Sequence, residues 1–457
     1  MITGYKLSNN SAEAKPVAVI GGGLAGAEAA WQLAKRGMPV VLYEMRPQKM
    51  TEAHKSGEFA ELVCSNSLKS NALHVASGLL KEEMRRLDSL IIRIADASRV
   101  PAGSALAVDR EQFARAVTAA LEALPQVTIV REEITQVPDG IAIVATGPLT
   151  SAALSNALGR LLGAQHLYFY DAISPIVTAE SIDPGIAFMA SRYGHGGEDY
   201  VNLPLTAPEF EHLVNSILAA QKVPAHAFEQ AIFFEGCLPI EEMARRGKDT
   251  LAFGPMRPTG LRDPRTGSRP HAVVQLRRED RDGTLYNMVG FQTKMTYAEQ
   301  KRVFCQIPGL EHAEFVRFGS LHRNTFIDSP RHLLPTLQWR GALRLFFAGQ
   351  ITGVEGYVES AATGLVAGIN AARTCTGMEP VVAPPTTVIG SLLAYISDPA
   401  RKEFQPMNAS FGLLPPLANG ARGRRKKELM ADRALRDHER WTCELKEKPL
   451  IQPAGAA

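Results

Sequence analysis

The chain has 457 residues, 45% of them hydrophobic and 21% charged, with a formal net charge of +3 at pH 7. That composition is globular and suffices for one large core or two to three domains, while so small a net charge leaves any nucleic-acid contact to local basic patches. With no apolar signal stretch in Met1 to Lys15, no apolar run near the roughly 18 residues of a membrane span, and five scattered cysteines without a CxxC pair, a soluble cytoplasmic protein is expected.

The chain opens as strand, tight turn, helix, strand. Val17 to Ile20 is a short β-branched run, Leu24 to Arg36 carries Ala and Leu at helical spacing, and Val40 to Tyr43 is apolar again. Gly37 is a favoured stop for that helix, just before Pro39. The turn, Gly21-Gly22-Gly23-Leu24-Ala25-Gly26, fits GxGxxG. There Gly21 permits the turn, Gly23 lets the backbone approach a pyrophosphate, and Gly26 lets helix and strand pack closely. Glu44 ends the second strand, where a carboxylate can accept hydrogen bonds from ribose hydroxyls. This register of strand, motif, helix, strand and acid points to a dinucleotide site.

After about Gly147 the character changes. Pro175, Pro184, Gly194, Gly196 and Gly197 punctuate short extended segments, and Gly254 to His271 reads as a loop dense in Gly, Pro and Arg. Ala272 to Leu276 and Leu285 to Val289 suggest strands of a sheet-containing insertion. Near Leu343 the βα pattern returns, with an apolar strand at Leu345 to Ala348 and a helix at Val358 to Arg373. A basic run, Arg422 to Lys427, precedes a charged helical stretch. The expected fold is α/β: a discontinuous, Rossmann-like domain (1–180 and 331–457) interrupted by an α+β insertion (181–330).

Two later segments favour FAD over NAD as the bound cofactor. Ile141 to Gly147 is an apolar strand ending in Ala145-Thr146-Gly147, similar to the second cofactor contact of two-dinucleotide-fold flavoproteins. Leu345 to Gly349, then Gln350 and a helix containing Gly364, resembles their closing strand and helix, whose N-terminus stabilises charge on the reduced ring. Those proteins usually carry an acidic residue where this chain has Gln350. No second GxGxxG is visible for a resident nicotinamide, so NAD(P)H would be a visiting substrate.

Longer motifs are more specific. Glu44-Met45-Arg46-Pro47, Phe59-Ala60-Glu61-Leu62-Val63-Cys64-Ser65-Asn66-Ser67-Leu68, Arg99-Val100-Pro101-Ala102-Gly103 and Ala107-Val108-Asp109-Arg110 resemble the folate- and FAD-dependent tRNA uracil-5-methyltransferases. So do Arg192-Tyr193-Gly194, Phe253-Gly254-Pro255-Met256, His322-Arg323-Asn324-Thr325 and Gly353-Val354-Glu355-Gly356-Tyr357. The similarity covers residues from about 17 to about 425. It implies methyl transfer to C5 of the T-loop uridine of tRNA, with the methylene group drawn from 5,10-methylenetetrahydrofolate through reduced FAD. It also maps two catalytic cysteines onto Cys64 in LVCSNS and Cys237 in FFEGCLP. C5 of uracil is a poor nucleophile until a thiolate adds to C6, and a base must later remove the C5 proton. Cys237 is taken as the nucleophile and Cys64 as base or assisting thiol, although sequence does little to prevent exchanging those roles.

Asn66, His322, Arg323 and Asn324 are candidates for contact with folate or RNA. Arg257, Arg262, Arg265 and Arg269 sit on a loop suited to phosphate, as does the tail run containing Arg424, Arg425 and Lys426. Nothing points to a metal or to an obligate protein partner. Two neighbouring readings share the cofactor: a paralogue that methylates a ribosomal RNA uridine, and a wobble-uridine modification protein of the glucose-inhibited division A type. The latter are longer, with an extended helical C-terminal region.

Overall fold

The computed structural model describes residues 15–163, 167–194, 197–223, 238–401, 404–417 and 421–446. Two sheets organise them. In the first, strands Ala342–Phe347, Ala142–Val144, Val17–Ile20, Val40–Tyr43 and Val127–Val130 lie side by side in that order, all parallel. The short strand Gln338–Trp339 pairs antiparallel at one edge. Val17–Ile20 and Ala142–Val144 are buried at every residue, as strands covered on both faces must be. The fold is α/β with a Rossmann-like parallel sheet.

This domain is completed from both ends of the chain. The fingerprint helix Leu24–Ala34 packs along the closing helix Tyr357–Cys375. Glycine makes the approach possible: a Cβ on Gly364 would fall 2.1 Å from the Ala25 carbonyl oxygen, and one on Gly368 2.8 Å from that of Ala29. Gly37 adopts φ +74° just past the fingerprint helix, the left-handed conformation that ends helices cheaply.

The second sheet is antiparallel, in the order Phe188–Met189, Tyr200–Leu205, Ala272–Arg278, Leu285–Met288, Ile176–Thr178 and Phe315–Arg317. Leu203, Val274, Phe291 and Phe304 contribute to a core separate from that of the first sheet. Helix Ala207–Ala219 covers part of it and opens with a reciprocal cap between Thr206 and Glu209. The insertion's sheet starts ahead of residue 181, because Ile176–Thr178 pairs with Leu285–Met288 and Phe315–Arg317, partners more than a hundred residues away. The antiparallel pair Leu167–Ala172 and Leu321–Phe326 stands where the chain leaves the first sheet and returns to it.

The basic tail run is not ahead of its helix but inside it, since helix Gly423–Lys446 places Arg424 and Arg425 in its first turn. Cations there oppose the helix dipole. Glu428 answers both, at 3.0 Å from Arg424 and 3.6 Å from Arg425. Among the described residues no helix is long and apolar enough to cross a membrane, and no cluster of side chains could hold a metal ion.

Candidate active site

The carboxyl ends of four adjacent parallel strands open onto one cleft. Ile20, Gly21, Gly23, Leu24 and Ala25 line it from the first strand and its turn, and Glu44 with Met45 and Arg46 from the second. Ala145, Thr146 and Gly147 come from the third strand, and Gly349 and Gln350 from the fourth. Parallel sheets bind ligands at this end. Gly22, Gly26 and Gly364 are packing residues instead. A Cβ on Gly22 would meet the Phe59 ring at 2.3 Å, and one on Gly26 the Gly21 carbonyl oxygen at 1.7 Å.

The cleft fits FAD. A Cβ on Gly23 would meet nothing within 4 Å, so the backbone at the helix N-cap faces open space. The fingerprint helix has neither a side-chain cap nor an acid in its first turn, which leaves its N–H groups for a pyrophosphate. Tyr357 and Ser360 bring the start of the closing helix to the other end of the cleft. Glu44 Oε2 accepts from the Gly22 N–H at 2.8 Å. Both its oxygens also bind Arg46, at 3.0 and 3.1 Å through the guanidinium. Burial works against that carboxylate, but Arg46 holds it below the usual range. A ribose hydroxyl would therefore share Glu44 with Arg46. Gln350 donates its Nε2 to Glu355 Oε2 at 2.7 Å, so its Oε1 is left to accept in the cleft, as an acidic residue there would.

Cys64 stands beside Tyr357, next to Val63 of the cleft lining. The Tyr357 oxygen accepts from the Cys64 N–H at 2.8 Å and the Ser65 N–H at 3.1 Å, and lies 2.9 Å from Cys64 Sγ. A phenol has two acceptor sites and one proton. With both sites taken, the proton points at sulfur, and the contact stabilises a thiolate. Burial, then the charge of Cys64, pushes Tyr357 well above its ordinary pKa, which keeps that proton in place.

Residues 16–379 match the family model of the glucose inhibited division protein A proteins. The methylenetetrahydrofolate--tRNA-(uracil-5-)-methyltransferase TrmFO of Geobacter sulfurreducens is 57% identical over 93% of this chain and 98% of its own. That of Anoxybacillus flavithermus is 60% identical over 92% of this chain and 97% of its own. The chain belongs to the methylenetetrahydrofolate--tRNA-(uracil-5-)-methyltransferase family. Aquifex aeolicus GidA in its form I crystal shares the fold, with TM-score 0.70 and 19% identity over 96% of this chain and 76% of that one.

In this family member three arginines from distant segments converge on Cys64. Arg110 donates to the Leu62 carbonyl at 2.7 Å and pairs with Glu279 at 2.8 Å. Arg277 donates to Ser65 Oγ at 2.7 Å and Asn66 Oδ1 at 2.9 Å, and Arg317 lies within electrostatic reach. Burial opposes the charge on all three, while Glu279 and Cys64 favour it. Arg110 ends above the usual guanidinium range, Arg277 and Arg317 below it. Cations so placed also favour a thiolate.

Arg110→Met should cost about 3–5 kcal/mol of stability, because it leaves Glu279 buried and uncompensated. Glu279 is only 4% exposed, and its Oε1 has no hydrogen-bond partner even in the native protein. Adding Glu279→Leu should restore most of the urea midpoint but not the full turnover, since Cys64 still lacks one of its three cations. A double variant as unstable as the single one would refute that account.

Asn66 is fully buried and its amide is committed, to the Val108 and Arg278 carbonyls at 2.9 and 2.8 Å and to Arg277. It clamps the insertion onto the first domain and, fully buried, is closed to folate and RNA. Cys237 lies outside the described residues. His322, Arg323 and Asn324 lie on the strand Leu321–Phe326, and their side chains are likewise outside them. Arg257, Arg262, Arg424, Arg425 and Lys426 are exposed, and none lines the cleft. Sequence reasoning passed over Tyr357 and Arg110 as site residues, although each ends a motif quoted for the family resemblance; Arg277 and Arg317 carried no local signal.

Proposed function

We propose that this protein methylates C5 of the T-loop uridine in tRNA to give ribothymidine, with 5,10-methylenetetrahydrofolate as carbon donor and NAD(P)H as reductant, in the cytoplasm. The observation that carries the reading is Cys64, held by Tyr357, which itself lines the cleft that fits FAD. It is joined by the identity to relatives named for this reaction.

In the proposed mechanism Cys237 adds as thiolate to C6 of the uracil, which turns C5 into an enolate carbon able to take the methylene. Cys64 then removes the C5 proton, and the electron pair left at C5 expels the Cys237 thiolate. Tyr357 and the nearby arginines are placed to favour the thiolate that does this. Reduced FAD, when bound, supplies the chemistry that carries the methylene and reduces it to methyl. The Gly23 backbone and the Gln350 oxygen would hold it there. The test is nucleoside analysis after the purified protein acts on unmodified tRNA with methylenetetrahydrofolate and NADPH. Ribothymidine is expected in the T-loop. No ribothymidine, or ribothymidine outside the T-loop, would sink the reading.

A further inference from the structure

Two of the motifs that resemble the family, Arg192-Tyr193-Gly194 and Phe253-Gly254-Pro255-Met256, are not accounted for by the cleft. The first is hydrogen-bonded to the loop that the second one opens, through the carbonyls of Arg257, Thr259 and Gly260. Phe253 ends the short helix Thr250–Phe253 with 83% of its surface in solvent, and Tyr193 is 60% exposed. Tyr193 holds a left-handed backbone at φ +57°, uncommon for so large a residue. Its N–H donates to the Gly260 carbonyl at 3.1 Å, and its ring lies against that glycine, where a Cβ would sit 3.0 Å from two ring carbons. Gly260 therefore gives the ring a flat seat.

Arg192 fastens the two segments together. It donates to Gln275 Oε1 at 2.9 Å, to the Thr259 carbonyl at 3.1 Å and to the Arg257 carbonyl. The loop it anchors presents Arg257, Arg262 and Arg269. All three are exposed, and none makes an ion pair among the described residues, whereas Arg265 is paired with Asp263. Three guanidiniums without counter-charges beside two exposed aromatic rings is the chemistry of single-stranded RNA binding, in which rings stack on bases and arginines hold phosphates. The same strand joins this loop to the active site. Gln275 holds Arg192 and, two residues on, Arg277 holds Ser65 beside Cys64. Residues two apart on a strand point to one face and are about 7 Å apart.

We propose that Tyr193 and Phe253, with Arg257, Arg262 and Arg269, form a platform that stacks on unpaired bases and holds phosphates of the same tRNA whose target uridine reaches Cys64. The proposal rests on the tRNA reading above and adds to it a place and a mode of contact.

Filter binding and steady-state kinetics with unmodified tRNA, across a salt series, test it. Phe253→Ala should weaken tRNA binding and raise KM for tRNA about tenfold, the scale of one lost base stack, while the flavin spectrum stays in place. Phe253→Trp should keep the wild-type affinity, which a merely structural role would not require of so exposed a residue. Replacing Arg257, Arg262 and Arg269 together by Gln should flatten the salt dependence of log K by about 2, at roughly 0.7 per phosphate contact in single-stranded RNA. If the wild type methylates tRNA while the variants bind it within about twofold of wild type, with the same salt slope, the platform is wrong and the functional reading stands. A wild type that methylates no tRNA removes both. A Phe253→Ala protein that changes its sedimentation but not its tRNA affinity would assign these residues to a second copy of the chain and overturn the proposal.

Discussion

Gly23→Val should give a folded but colourless protein, and Gly26→Ala should give one that scarcely folds. The two glycines belong to one motif and are three residues apart, yet they meet opposite surroundings. At Gly23 a Cβ finds nothing within 4 Å, and the backbone there (φ −72°) is open to any residue. Valine thus costs the protein little and places its methyls where the pyrophosphate of FAD would lie. At Gly26 a Cβ would stand 1.7 Å from the Gly21 carbonyl oxygen, and the turn cannot retreat, because a Cβ on Gly21 would itself lie 2.7 Å from the Ala145 oxygen. Alanine there must push helix from sheet, and a loss above about 3 kcal/mol is expected. Far-ultraviolet circular dichroism and flavin absorbance read the two effects separately. A Gly23→Val protein with a full flavin spectrum would show that the cofactor lies elsewhere.

RNA carrying 5-fluorouridine at the target position should become covalently trapped by the wild type and by Cys64→Ala, and not by Cys237→Ala. On the proposed roles, Cys237 adds to C6 before any base is needed. Fluorine cannot leave C5 as a cation, so elimination stalls and the thioether survives denaturation. Cys64→Ala removes only the later proton acceptor, so it should form the adduct yet lose turnover on ordinary uridine by about two to four orders of magnitude. Serine at position 237 should not rescue, because its hydroxyl is scarcely ionised near neutral pH and leaves poorly. A denaturing gel of the variants with the fluorinated RNA decides. An adduct kept by Cys237→Ala and lost by Cys64→Ala would exchange the roles, and full methylation by both alanine variants would end the mechanism.

What the sequence revealed was local. Val17–Ile20, the turn and the helix from Leu24 are legible because strand period, glycine punctuation and helical spacing all act within a few residues. The cleft followed from the same segments, since the glycine turns stand at the carboxyl ends of parallel strands. Partnerships across the chain were not legible. Arg277 is an unremarkable residue of a strand until folding brings it to Ser65, and Ile176–Thr178 acquires its sheet from strands at 285–288 and 315–317. Asn66 looked like a ligand contact because polar side chains in a turn are usually wet; here two carbonyls and Arg277 consume it. The basic run at the tail looked like a segment ahead of a helix, and only Glu428 shows why it can begin one.

The crossing of the fingerprint helix with the closing helix has a consequence for how the polypeptide is made. The fingerprint helix lies at Leu24–Ala34, but strand Ala342–Phe347 and helix Tyr357–Cys375, which complete its domain, are synthesised more than three hundred residues later. The second sheet has all its strands by Arg317. Domains assemble as units as they emerge, so the insertion is the part able to settle first. Leu24–Ala34 must wait, with the side that meets the closing helix unclaimed, until Tyr357–Cys375 has been translated. The guest domain can thus be finished before its host.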